Sequence, residues 1–163
     1  KLGISDAIDT LPEGIKSREE AIAETIENNV RSKIIKEHLT DPAYYDKMSI
    51  LLGEIIKQRK DDANAYEDYL KKIMELVKQV NTGMADDTPK KLDSSAKRAL
   101  YHNLGQDESL AIELDTIVNR VKKADFRGNL AKEREIQRAL YKRLQDKEQV
   151  RQIFEIIKEQ KEY

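Results

Sequence analysis

Apolar residues recur at steps of three and four along most of the chain, and nowhere do they alternate over the length a strand needs. Ile22, Ile26, Val30 and Ile34 set the first stripe. It follows Ser17-Arg18-Glu19-Glu20, whose serine and third-following glutamate form a capping box, so a helix is predicted over about 18–39. Asp41-Pro42 signals a second start, because proline lacks only an N–H that would be unpaired there anyway. That helix turns Met48, Leu51, Leu52, Ile55 and Ile56 inward and fades in Lys57-Gln58-Arg59-Lys60, cations suited to a helix C-terminus. A third carries Tyr66, Tyr69, Leu70, Ile73, Leu76, Val77 and Val80 and stops at Gly83. A shorter helix over about 94–104 ends at Gly105. Three more follow, on Leu110/Leu114/Ile117/Val118/Val121, on Ile136/Leu140/Leu144 and on Val150/Ile153/Phe154/Ile157.

The predicted fold is therefore all-α, a bundle of about seven helices in which short connections favour antiparallel neighbours. Residues 1–16, with a turn signal at Leu11-Pro12-Glu13-Gly14, form a lead, and 17–163 one helical domain. The stretch Gly83 to Asp93, containing Pro89, is the expected hinge between sub-lobes 17–82 and 94–163.

Composition changes this picture little. Charged residues make up 37% of the 163, against about 25% in an ordinary globular domain, and 39% are hydrophobic. With helical periodicity present, that balance describes helices with heavily solvated outer faces rather than disorder. The absence of cysteine excludes disulfides and thiolate metal sites and suits a reducing compartment such as the cytoplasm. No apolar run approaches the roughly 20 residues of a membrane span. The chain opens Lys1-Leu2-Gly3, which reads as a cut from something longer.

There is no G-x-x-x-x-G-K-[ST] loop and no G-x-G-x-x-G turn. His38 and His102 stand far apart without ligand-spaced carboxylates, and read as surface or capping residues. Glu159-Gln160-Lys161 matches a Glu-x-Lys nuclease core with Asp146 upstream. That chemistry aims carboxylates from adjacent strands at one Mg²⁺, whereas these residues fall on a predicted helix. No catalytic or metal-ligating residue is assigned. Tyr66 and Tyr69 lie on an apolar face and read as core rather than as a base-stacking platform; Tyr44 and Tyr45 are open to either reading.

Charge is uneven. Between Asn119 and Arg143, nine basic residues face three acidic ones, a net +6 that leaves about −7 for the remainder. Arg120, Lys122, Lys123, Arg127, Lys132, Arg134 and Arg138 are the candidate contacts to a partner, to nucleic acid or to phosphate. Arg127, Arg134 and Arg138 are expected to gather near the turn Asp125-Phe126-Arg127-Gly128-Asn129. A plain solvated face is the alternative.

The stretch AIAETIENNVRSKIIKEHLTDPAYYDKMSILLGEIIKQRKDDANAYEDYLKKIMELVKQV, followed by SSAKRALYHNLG and then by FRGNLAKEREIQRALYKRL and IFEIIKEQKEY, resembles the C-terminal helical region of the motor (restriction) subunit of type I restriction-modification enzymes. The resemblance runs from about Ile15 to Tyr163 and keeps the order of segments; Phe126 stands where that family often has tryptophan. It implies a bacterial, cytoplasmic subunit whose nuclease domain and ATP- and Mg-dependent motor lobes lie outside this chain. The region present would attach that motor to the modification and specificity subunits, with duplex DNA as a further partner through the basic window and no cofactor of its own. The basic window itself offers an alternative role, a regulatory site for a nucleotide or polyphosphate away from the motor site. In this setting Asn28 and Asn29, mediocre helix formers at mid-helix, are expected to bond to a loop or another helix, with Arg31 pairing a carboxylate. Two exposed, tolerated amides are the alternative.

Overall fold

The computed structural model describes residues 16–62 and 65–163, with side chains from Arg18 onward. The lead, its turn signal and the Ser17 side chain of the capping box lie outside the described residues. Among those described there are seven α-helices and no strand: α1 (Lys16–Glu37), α2 (Pro42–Asp61), α3 (Tyr66–Thr82), α4 (Ser95–Asn103), α5 (Glu108–Val121), α6 (Leu130–Leu144) and α7 (Lys147–Glu159), with a 3-10 turn (His38–Thr40) between α1 and α2. The fold is all-α, as the periodicity predicts. No helix is long and apolar enough to cross a membrane among the described residues.

The chain divides into two compact units. The first holds α1, α3 and α2 from Tyr45 onward. Its core takes Ala23, Ile26, Val30 and Ile34 from α1, Tyr45, Met48 and Leu52 from α2, and Tyr69, Ile73, Leu76, Val77 and Val80 from α3. Leu51, Ile55 and Ile56, expected inward, are only half-buried. Beside this apolar packing Arg59 grips the buried Glu27, Nε to Oε1 at 2.8 Å and Nη2 to Oε2 at 3.2 Å. The Tyr69 hydroxyl donates to the same Glu27 Oε1 at 3.1 Å. One buried carboxylate on α1 thereby fixes both other helices of the unit.

The second unit comprises α4–α7, the segment 83–94 and residues 38–44. Its apolar core is larger, centred on Leu100, Leu114, Phe126, Ile136, Leu140, Ile153 and Ile157. The division departs from the sub-lobes expected from sequence, because 38–44 belongs with the later helices. Asp41 is the reason. It caps α2 by accepting from the Tyr44 N–H at 3.3 Å, and it also receives Asn103 Nδ2 at 2.8 Å and meets His102 Nδ1 at 2.6 Å. Tyr44 stacks on the His102 ring, centroids 4.8 Å apart. His102 is thus a buried bridging residue, not the surface or capping residue its isolation in sequence suggests. Residues 83–93, the expected hinge, run through turns closed by Thr88 N–H to Ala85 O and Leu92 N–H to Pro89 O. They end tied down, with Leu92 in the core of the second unit.

Candidate functional site

Helix α6 starts where Asn129 Oδ1 accepts the Lys132 N–H, while Glu133 reaches back to the Gly128 N–H at 2.8 Å. Gly128 takes φ +80, a conformation that favours a residue without Cβ. The helix ends at Gln145, itself left-handed, whose side chain donates to the Tyr141 and Lys142 carbonyls. Asp146 immediately caps α7, accepting from the Glu148 and Gln149 N–H groups. Two residues therefore join two capped helices, and α6 and α7 pack side by side.

Between them lies a groove of about 500 Å³ lined by Arg134, Gln137, Arg138, Tyr141 and Lys142 of α6 and by Lys147, Val150 and Arg151 of α7. Five of these eight are cations. Arg151 is paired with Glu148, one turn before it, at 2.8 Å. The side chains of Arg134, Arg138, Lys142 and Lys147 form no hydrogen bond or ion pair among the described residues. The spacing is telling. Elsewhere opposite charges four apart form ion pairs, as in Lys33–Glu37 and Asp68–Lys72 within helices and Asp93–Lys97 at the start of α4. Here Arg134/Arg138, Arg138/Lys142 and Lys147/Arg151 repeat the same sign at that interval. Like pairs so placed destabilise an isolated helix by about 0.2–0.5 kcal/mol each.

The other candidates of the basic window are not in this groove. Arg127 lies across the Phe126 ring and donates to the Lys158 and Gln160 carbonyls at the end of α7, so it caps a helix instead of gathering with Arg134 and Arg138. Lys132 donates to the Ala124 carbonyl at 2.7 Å. Lys122 donates to the Glu162 carbonyl and sits over the Tyr163 ring. Lys123 pairs with Glu135 and Arg143 with Glu113. Arg120 is exposed. Of the nine cations in the window, then, five hold the second unit together. The contacts expected from sequence end at Arg138: Lys142 belongs to the basic window without being named among them, and Tyr141, Lys147 and Arg151 lie outside that expectation. The four-residue interval of Lys147 and Arg151, one short connection beyond α6, was the available signal.

The asparagines also end elsewhere than expected. Asn28 and Asn29 are both exposed, and Asn28 Oδ1 receives Arg31 Nη1 at 3.1 Å within the same helix. No bond from Asn28 or Arg31 crosses to another helix among the described residues. The polar residue that does cross is Glu27, one position earlier on the helical wheel.

Two tyrosines have strongly shifted titration. Burial, then the nearby Glu27 carboxylate, raises the Tyr69 hydroxyl. Burial, then its 2.5 Å bond to Asp115, raises Tyr163. Arg59 is raised chiefly by its hydrogen bonds to Glu27. These groups are held in their protonated forms and serve as fixed donors. Among the described residues no three His, Asp or Glu side chains come together as a metal site.

No family model, curated protein or solved structure matches the chain.

Proposed function

We propose that the chain is an accessory docking domain of an ATP-dependent, DNA-translocating and DNA-cleaving subunit of a type I restriction enzyme. It joins the motor to the modification and specificity subunits. Support comes first from the ordered resemblance between Ile15 and Tyr163. The structural observation that carries it is the placement of large aliphatic side chains outside both cores: Ile35 and Ile50 in the first unit, Leu39 and Leu130 in the second, each 64–69% exposed on a strongly charged surface. Such side chains supply little to folding and become valuable when a partner covers them. Polar groups inside the units are committed to holding helices, as Glu27 with Arg59 and Asp41 with His102 show. Duplex DNA is the weaker partner in this reading, since five of the nine cations in the basic window are engaged within the domain.

Deleting this region from the full subunit, and assaying assembly with the modification and specificity subunits separately from ATPase activity, tests the proposal. Assembly is expected to fail while ATP hydrolysis persists. Lost ATPase with intact assembly would overturn it. As a finer probe, Ile50→Ser and Leu130→Ser should leave the helical content unchanged and weaken assembly.

A further inference from the structure

We infer that the groove between α6 and α7 binds a small ligand carrying several adjacent phosphates, of the nucleoside polyphosphate class. This inference is independent of the docking role and concerns these two helices alone. Arg134, Arg138 and Lys142 run along one wall at four-residue steps, and Lys147 and Arg151 stand on the other. The one carboxylate bonded to this set, Glu148, is taken by Arg151. Three cations in a row along one helix face repel one another, and the arrangement is stabilised when an anion enters between them. Arginine suits phosphate because its planar fork presents paired donors, and lysine adds a compact charge.

Shape selects the ligand. Arg134 to Lys142 spans eight residues of helix, about 12 Å, the reach of a short phosphate chain with its sugar. The groove volume falls inside the roughly 300–1,000 Å³ range of small-molecule sites. Packed helices lie only about 8–10 Å apart, so the trough between them is too narrow for a nucleic-acid duplex to enter. Tyr141, 38% exposed, adds a ring at the wall on which a flat base can stack, and Val150 contributes to an apolar floor.

Calorimetric titration of the chain with ATP, tripolyphosphate, adenosine and a short DNA duplex, at low and moderate salt, tests this. ATP and tripolyphosphate should each bind at one saturable site, adenosine should not, and affinity should fall with salt. Arg134→Gln with Arg138→Gln should weaken ATP by about tenfold or more, while Lys123→Gln and Arg143→Gln, outside the groove, leave it unchanged. Tyr141→Ser should weaken ATP and spare tripolyphosphate, separating base stacking from phosphate contact. Circular dichroism of each variant confirms the fold, so that lost binding is read at the groove. Absent saturation with ATP at low salt, equal losses from the outside variants, or duplex binding that ATP cannot displace would each overturn the assignment. Undiminished ATP affinity in Tyr141→Ser would overturn the nucleoside part of it.

Discussion

Each unit buries a tyrosine hydroxyl against a carboxylate, and the two solve the resulting charge problem differently. In the first, Tyr69 donates to Glu27, which is 5% exposed and also gripped by Arg59. In the second, Tyr163 donates to Asp115, 9% exposed, and no cation bonds that carboxylate among the described residues. Lys122 stands instead over the Tyr163 ring and bonds the Glu162 carbonyl. A buried carboxylate can be compensated by a full countercharge or by a strong neutral donor. With a bonded countercharge, the tyrosine becomes the lesser partner; without one, the phenol is the carboxylate's main partner. That ranking is testable.

Arg59→Met should have the largest effect. It leaves Glu27 charged and buried with only a phenol for company, which costs about 3–5 kcal/mol. Urea unfolding followed by circular dichroism measures it. The double variant Glu27→Leu/Arg59→Met should recover most of that loss or exceed the parent, because two desolvated charges are then replaced by apolar packing. If the double variant is as unstable as the single one, the pair matters through something other than mutual compensation.

Tyr163→Phe comes next, at about 1–3 kcal/mol, the penalty for a buried acceptor left without its donor. Tyr69→Phe should cost less, about 0.5–1.5 kcal/mol, because Arg59 still holds Glu27. Alkaline titration sharpens the same contrast. Both folded phenols titrate above the ordinary value of about 10, through burial first and the neighbouring carboxylate second. Between that value and the raised one, the unfolded chain binds fewer protons than the folded chain, so stability is complete below about pH 10 and falls as pH rises beyond it. Replacing either tyrosine by phenylalanine should flatten that fall. Stability that stays level above pH 10 in the parent would contradict both assignments.

The helices were legible because periodicity and capping are local. Asp41-Pro42 does begin α2, Gly105 does follow α4 with a left-handed φ, and the turn before α6 lies where Gly128 placed it. What was not legible depends on long-range partners. Asp41 looks like a cap and is one, yet its bonds to His102 and Asn103, some sixty residues away, decide which unit it joins. Leu92 and Phe126 enter the second core from non-helical segments, where no period marks them. The basic window was visible as charge, but charge does not say which cations will find a carbonyl. Arg127 and Lys132 found theirs, whereas Arg134 and Arg138 did not. The groove needed both α6 and α7, and a count that closed at Arg143 saw only one of its walls.

The smallest expected effect concerns Asn28 and Asn29, neighbours of Glu27 on the same helix. Successive residues of an α-helix are about 100° apart around its axis, so one step carries a side chain from the core toward its edge and two steps carry it into solvent. Glu27 therefore sits under Arg59 and Tyr69, and the two amides lie outside. Asn28 exchanges one exposed hydrogen bond with Arg31, an interaction within a single turn that water replaces readily. Asn29→Leu should accordingly change stability by no more than about 0.5 kcal/mol, with a slight gain from better helix propensity. Arg31→Ala should be similarly mild. Matched urea curves for Asn29→Leu, exposed on α1, and Arg59→Met, whose guanidinium on α2 meets Glu27 of α1, would then differ by several-fold in effect. A loss above about 1 kcal/mol at Asn29 would mean that its amide is engaged after all, and that the neighbouring carboxylate is not the sole polar tie from this turn of α1 to the rest of its unit.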